Sequence, residues 1–197
     1  MMSSISAAED YPKSPTVPGK MGIWWFLASE IMVFGGFIAT YVLFRMAAAG
    51  AWSEMAHHVS APIGTFNTVV LLTSSLTIVK AFEAIDKEQR KKAQNLLLVT
   101  VLLGVAFLVV KGIEYSIEIS NGFTPVTGIF WSFYYAMTGL HGLHVLAGII
   151  FNLALYVMAV RGTLWPKTQQ RVEYAGLYWH FVDIIWIFLF PLLYLSY

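Results

Sequence analysis

Five long runs of apolar residues dominate this chain of 197 residues and restrict it to a membrane-spanning fold. A helix needs about 20 residues to cross the hydrocarbon core of a bilayer, which is about 30 Å thick. The five runs are close to this length or longer, and they cover residues 21–45, 62–80, 96–119, 128–160 and 172–197. They do not alternate polar and apolar residues with a period of two, which disfavours a β-barrel. We therefore predict an all-α fold, an integral membrane bundle of five transmembrane helices.

The composition agrees with this class and narrows the chemistry that the chain can perform. Hydrophobic residues make up 58% of the chain and charged residues 12%, which is too apolar for a water-soluble domain of this length. Because the chain has no cysteine, disulfides, thiolate metal sites, cysteine nucleophiles and thioether-linked haem are excluded. A net charge of +1 gives no electrostatic basis for binding nucleic acid. Any chemistry would have to use histidine, aspartate, glutamate or tyrosine.

Basic residues predict the orientation, because cytoplasmic loops of membrane proteins carry an excess of lysine and arginine. Ten basic residues lie in the N-terminal arm and in the second and fourth connections: Lys13, Lys20, Lys80, Lys87, Arg90, Lys91, Lys92, Arg161, Lys167 and Arg171. The opposite face carries Arg45 alone, and Lys111 lies within a span. The N-terminus is therefore predicted in the cytoplasm and, after five spans, the C-terminus outside.

The chain is predicted to consist of an arm and one transmembrane domain. Residues 1–20 are polar and contain Pro12, Pro15 and Pro18, so we expect an extended or disordered cytoplasmic arm and no cleavable signal peptide. Residues 21–197 form the five-helix domain. The charged stretch 81–94 is expected to continue the second and third helices beyond the membrane as a short helical hairpin.

Glu30 is the most unusual residue of the first span. It lies near the middle of the apolar run, about 15 Å into the bilayer. A carboxylate at such a depth costs at least about 2.5 kcal/mol, so such residues face protein or water rather than lipid. We therefore expect Glu30 to be hydrogen-bonded or protonated inside the bundle, near His144, His180 or Asp183.

The third span carries three charged residues near its outer end. Lys111, Glu114 and Glu118 are spaced three and four apart, so they lie on one face of the helix. The simplest interpretation is an outer-end ion-pair ladder whose side chains reach towards the outer membrane interface.

Two further spans carry ionisable residues that could in principle bind a metal or a haem. His141 and His144 lie on the fourth span, and His180 and Asp183 lie on the fifth. Di-metal sites in helical bundles usually repeat a Glu-x-x-His pair on two helices, and this sequence has none. Hydrogen-bonded interhelical histidines are therefore favoured, and we predict no catalytic, cofactor-binding or metal-binding residue on this chain.

Small residues indicate where helices approach one another closely. Gly35 and Ala39 are four apart on the first span, and Gly139, Gly142 and Gly148 lie on the fourth. Such residues are typical of contact seams between transmembrane helices.

Each span carries a distinctive motif: MGIWWFLASE at 21–30, Asn67-Thr68 followed by LLTSS at 71–75, Glu114-Tyr115, TGLHGLHV at 138–145 and YWHFVD at 178–183. In this order, the motifs closely resemble those of subunit III of haem-copper terminal oxidases. The resemblance covers all five spans. Longer members of the family have seven spans, so this chain is similar to the short, five-span bacterial form, and the lipid cleft beside the first two spans of long forms is in doubt here.

The resemblance implies an accessory subunit with no haem or copper of its own, packed on the catalytic subunit I in the bacterial cytoplasmic (inner) membrane. Haem and copper would reside in the partner subunits. Subunit II, other respiratory complex subunits and membrane lipids are further expected partners, and the resemblance allows for a bound phospholipid. In the family, the glutamate that matches Glu30 reacts with carbodiimides, and the subunit helps to sustain proton uptake and to protect the oxidase during turnover.

Within this family the electron donor stays open. Cytochrome c oxidase, of the aa3 type, is favoured, quinol oxidase is the second alternative, and the accessory protein of nitric oxide reductase is a third. Two other classes also fit buried ionisable residues: a stand-alone proton-coupled transporter and a small membrane enzyme with its own haem or metal. Transporters commonly show repeats and interrupted helices, whereas here Pro191, near the outer end, is the main interruption.

Overall fold

The computed structural model describes residues 17–48, 50–162 and 168–195, and these residues form helices joined by short connections. The helices are α1 (Val17–Ala47), α2 (Ala51–Ala56), α3 (Ala61–Asp86), α4 (Arg90–Ser120), α5 (Ile129–Val160) and α6 (Thr168–Tyr194). All except α2 are long and apolar enough to cross a membrane. The predicted all-α fold with five transmembrane helices is confirmed.

The ends of the long helices follow local chain chemistry. Pro62 occupies the first turn of α3, where its missing N–H costs no hydrogen bond. After α4, Gly122 has a φ of 89°, its N–H donates to the carbonyl of Ile119, and the N–H of Phe123 donates to that of Glu118. This is the Schellman arrangement, which suits glycine because the left-handed conformation is strained for residues with a Cβ.

Four of the long helices form an antiparallel bundle. α3 packs on α4 and α6, and α5 also packs on α4 and α6, so α4 and α6 occupy diagonal corners. α1 lies along α5 and α6 and is the least buried of the five. Its inner face carries Leu27, Phe34 and Tyr41, which are spaced seven apart and buried. This arrangement leaves the other sides of α1 open.

Trp179 of α6 lies at the centre of the bundle and explains the closest helix contacts. A Cβ added to Gly148 of α5 would lie 2.6 Å from this indole, and one added to Gly104 of α4 would lie 2.8 Å from it. The indole N–H donates to Ser74 of α3 at 3.0 Å. One fully buried side chain therefore contacts the other three helices of the bundle.

The small residues predicted at helix contacts differ in how closely they approach a neighbouring helix. Gly148 lies at a tight contact, whereas Cβ atoms added at Gly139 and Gly142 would meet neighbours only at 3.8 and 3.9 Å. Gly35 and Ala39 lie on the exposed side of α1, and a Cβ added at Gly35 would meet no described atom within 4 Å. The larger Phe34 and Tyr41 form the inner face of α1 instead, so a contact seam at Gly35 and Ala39 stays a prediction.

The predicted N-terminal arm and the predicted hairpin lie partly within the described residues. Residues 1–16 lie outside them, but α1 already begins at Val17, so the last four residues of the predicted arm are helical. Pro18 permits this because proline is tolerated in the first turn of a helix. The hairpin is present, since α3 continues to Asp86 and α4 begins at Arg90. The short helix α2 was not predicted, and its Trp52 packs on Tyr41 at 5.2 Å between ring centroids.

Candidate functional site

Glu30 of α1 pairs with His144 of α5. The distance between Oε2 of Glu30 and Nε2 of His144 is 3.1 Å, and both side chains are more than four-fifths buried. The ring of Phe34 packs edge-on against the imidazole at 5.3 Å, and the hydroxyl of Tyr178 donates to the carbonyl of His144 at 3.0 Å. The carboxyl group in the first span therefore faces protein, and of the three candidate neighbours it contacts His144.

The hydrogen bond made by Nδ1 of His144 shows how many protons the contact between Glu30 and Nε2 contains. Nδ1 lies 2.8 Å from the carbonyl oxygen of Leu140, and because a carbonyl only accepts, Nδ1 carries the hydrogen. The contact with Glu30 then contains one proton, either on the carboxyl group, which donates to a neutral imidazole, or on Nε2, which donates to a carboxylate. Both forms are neutral as a pair, which lowers the cost of placing two ionisable groups within the membrane.

Lys111 lies at the centre of a buried network on three helices. Its ammonium group donates to Glu114 at 3.1 Å, to the hydroxyl of Tyr134 at 3.0 Å and to the hydroxyl of Tyr194. Both tyrosine hydroxyls in turn donate to the other carboxylate oxygen of Glu114, at 2.8 and 2.7 Å. The network connects α4 with α5 and α6, so it holds three helices together around one ion pair.

This geometry corrects the outer-end ladder. The pair between Lys111 and Glu114 is present, but both side chains are at most 5% exposed, so the lysine is directed into the bundle rather than along the surface towards the interface. Glu118 is also buried, and its Oε2 makes no hydrogen bond to any residue that the structure describes. The physical reason is that two tyrosines on other helices supply polar partners, which spacing along α4 cannot reveal.

Among the described residues, His141 has no polar partner of this kind. Its ring stacks on Trp186 at 5.1 Å and meets Phe107 edge-on at 5.6 Å, and the residue is fully buried. Neither ring nitrogen is hydrogen-bonded within the described part of the chain. The expectation of interhelical hydrogen bonds therefore agrees with the geometry of His144 and disagrees with that of His141.

His180 and Asp183 lie on α6 next to Ser75 of α3. The Oγ of Ser75 is 2.7 Å from Nδ1 of His180, and a carboxylate oxygen of Asp183 is 4.0 Å from the same nitrogen. A hydrolytic triad places the serine and the acid on different nitrogens of the histidine, so this is not such a triad. Asp183 is buried, whereas 38% of the His180 side chain is exposed.

The predicted ionisable residues thus form separate clusters rather than one centre. Among the described residues, no group of three or more histidine, aspartate or glutamate side chains is arranged to hold a metal ion. Sequence reasoning assigned no role to the tyrosines of these clusters or to Ser75, although Ser75 and Tyr178 lie within quoted motifs. No spacing could have found Tyr194, which lies 83 residues from Lys111.

The fold and these clusters define a multi-pass helical membrane protein whose ionisable side chains connect neighbouring helices. The chain matches the family described as cytochrome c oxidase subunit III over residues 13–196. It belongs to this family, and the resemblance seen in the motifs is confirmed.

Individual relatives align with nearly the whole chain. The chain is 34% identical to cytochrome c oxidase subunit 3 of Bacillus sp. (strain PS3), over 95% of this chain and 94% of the relative. It is also 34% identical to the protein of that name from Alkalihalophilus pseudofirmus, over 99% and 98% of the two chains. A protein of Staphylococcus aureus named "Probable quinol oxidase subunit 3" is 30% identical over 89% and 88%. The relatives are thus named as subunits of oxidase complexes.

Proposed function

We propose that this chain is the non-catalytic subunit III of a respiratory haem-copper oxygen reductase of the aa3 cytochrome c oxidase type. The observation that carries the proposal is the family match over residues 13–196. In this role the chain packs on subunit I, near subunit II, in the bacterial inner membrane. Oxygen reduction to water and the haem and copper centres belong to the partner subunits, and this chain supports the stability of the complex and proton uptake during turnover.

The interhelical clusters support a structural role within such a complex. The Glu30–His144 pair joins α1 to α5, and the network around Lys111 joins α4 to α5 and α6. The network around Lys111 is closed within the bundle, since its ammonium group, the two tyrosine hydroxyls and Glu114 bond to one another. Such clusters specify which helices pack together, because each polar group is costly in lipid without its partner.

Quinol oxidase is the second candidate, and the relative from Staphylococcus aureus favours it. The two cytochrome c oxidase relatives share higher identity over more of the chain, which is why we place cytochrome c oxidase first. The two candidates differ in the electron donor, which binds to other subunits in both cases.

A bound phospholipid forms part of this proposal. An apolar groove of about 490 Å³ lies between α1, α5 and α6, and Phe26, Phe151 and Tyr178 contribute to its walls. Arg171 lies at the end that the basic residues assign to the cytoplasm. An acyl chain suits the apolar walls, and a guanidinium suits a lipid phosphate. Replacing Arg171 with glutamine is expected to lower the phospholipid retained by the purified complex, measured as phosphorus per haem.

The proposed function is tested by purifying the tagged chain from native membranes in a mild detergent. We expect a haem- and copper-bearing subunit to co-purify, detected by reduced-minus-oxidised spectra, copper analysis and mass spectrometry. The haem type of the complex, and whether the complex oxidises cytochrome c or quinol, then distinguish cytochrome c oxidase from quinol oxidase. A chain that emerges alone and colourless would contradict the proposal and favour a transporter, and one that emerges alone with its own haem would favour a membrane enzyme.

A further inference from the structure

We propose that the outward face of α6, defined by His180, Ile184 and Phe188, is the surface on which a transmembrane helix of the haem- and copper-bearing subunit docks. His180 is the polar anchor of this α6 face, and the partner helix carries a hydroxyl or amide side chain opposite it. The inference rests on the proposed function and adds the location and chemistry of the contact.

The three residues lie on one side of the helix, because residues four apart are neighbours on a helix surface. Ile184 is 52% exposed and Phe188 is 61% exposed. The α6 face runs between α1 and α3, which both pack on α6. The result is an apolar surface that contains one half-buried imidazole.

His180 differs from the other polar side chains that face outwards in the spans. The exposed hydroxyls of Ser29, Thr40, Thr73 and Ser116 each donate to a carbonyl of their own helix at 2.7 to 2.9 Å. Imidazole has two nitrogens on different sides of its ring, and the contact with Ser75 uses Nδ1 alone. Nε2 makes no hydrogen bond to any residue that the structure describes, and we assign its partner to another chain of the complex.

Depth decides which kind of partner can reach this nitrogen. His180 lies nine residues after Arg171, where the fifth span begins, and therefore about 14 Å from that end of a helix about 36 Å long. Lipid headgroups lie at the membrane surfaces, and acyl chains offer no hydrogen bond. The group that satisfies Nε2 is therefore a side chain of another transmembrane helix, since polar residues in membranes pair with one another across helices.

The chemistry of the partner follows from the two tautomers of His180. If Ser75 donates to Nδ1, then Nε2 carries the hydrogen and needs an acceptor. If Nδ1 donates to Ser75, then Nε2 is itself an acceptor and needs a donor. A hydroxyl or an amide meets both requirements because each can donate and accept.

Cross-linking from single cysteines tests the location, and the absence of native cysteines makes the chain suited to it. Ile184→Cys is compared with the control Val109→Cys. Val109 is 55% exposed and lies at a similar depth on α4, the helix diagonally opposite α6 in the bundle. Each variant of the assembled oxidase is labelled with a benzophenone maleimide and illuminated in native membranes. We expect the cysteine at position 184 to cross-link to the haem- and copper-bearing subunit, and the cysteine at 109 not to do so. Cross-links from 184 to lipid alone, to a second copy of the chain or to another protein would overturn the proposal.

Substitution of His180 tests the anchor. His180→Leu keeps an apolar surface but removes the hydrogen bond, and we expect about fivefold less haem to co-purify with the tagged chain. His180→Gln retains a donor and an acceptor and should restore most of the haem. Equal haem yield from the leucine variant would overturn the anchor, and so would an equal loss in both variants. If the unsubstituted chain itself brings down no haem, it is the proposed function that fails.

Discussion

Gly148 is the position at which one added methyl group should disturb the bundle most clearly. In Gly148→Ala the new Cβ would lie 2.6 Å from Cε3 and Cζ3 of Trp179 and 3.3 Å from Cε1 of Tyr178. Carbon atoms prefer separations of about 3.5 to 4.0 Å, so the indole would have to shift by about 1 Å. It has little room, because its Cη2 already lies close to Gly104 and its N–H is held by Ser74.

Overpacking of this kind lowers the free energy of unfolding by about 1 to 3 kcal/mol. The higher helix propensity of alanine compared with glycine raises it by at most about 1 kcal/mol. We therefore expect Gly148→Ala to lower the free energy of unfolding by about 1 to 2 kcal/mol. Gly142→Ala is the matched control on the same helix, because its Cβ would meet Leu108 at an ordinary 3.9 Å. The control should unfold at the same denaturant concentration as the parent chain or a higher one.

The assay is equilibrium unfolding of the purified chain in mixed micelles by SDS, followed by circular dichroism. Trp179→Phe removes the ring atoms that clash, so it should relieve part of the cost of Gly148→Ala, with a coupling energy above about 0.5 kcal/mol in a double-mutant cycle. Equal stabilities of Gly148→Ala and Gly142→Ala, or strictly additive effects in the cycle, would refute the packing argument.

Three further predictions concern the ionisable clusters and the whole subunit. Lys111→Met should destabilise the chain by about 3 to 5 kcal/mol in the same SDS assay because Glu114 is left buried without its counter-charge, and adding Glu114→Gln should recover much of this loss; equal losses in the single and double variants would contradict it. Glu30→Gln should leave proton pumping intact in reconstituted vesicles, because we assign Glu30 to packing against His144 rather than to proton conduction, and an assembled oxidase that no longer pumps would disprove that assignment. Deletion of the chain should leave oxidase activity that decays faster during turnover, measured by oxygen consumption, whereas complete loss of haem insertion would indicate an assembly role instead.

The number and placement of the spans could be read from the sequence because hydrophobic length is a local property. A run of about 20 apolar residues is a sufficient signal for a membrane-spanning helix, whichever residues later touch it. The hairpin between α3 and α4 was predictable for a similar reason, since the charged stretch contains good helix formers on both sides of a short turn. The start of α1 was misplaced because prolines at three-residue spacing resemble an extended arm, although the third of them lies in the first turn of a helix.

The sequence predicts which charged residues need a partner inside the bundle, but not which residues of other helices supply it. Glu30 and Lys111 stand out because a charge inside an apolar run is rare, so the need for a partner could be stated in advance. Glu114 could be predicted as a partner of Lys111 because it lies three residues away on the same helix. Partners on other helices could at most be narrowed to a few candidates, because the distance along the chain is large. His144 lies 114 residues from Glu30, and Ser75 lies 105 residues from His180.

The sequence by itself determined that this chain is a five-helix membrane protein of the subunit III family with ionisable groups that cannot face lipid. Hydrophobic length, charge asymmetry and the order of motifs carry that information one segment at a time. Only the tertiary structure decided which groups pair, that Lys111 is directed inwards, that Gly148 rather than Gly35 lies at a tight contact, and that His180 is left facing outwards. Those outcomes depend on how helices rotate about their axes when they pack, and that rotation is fixed by large side chains such as Trp179 that contact several helices at once.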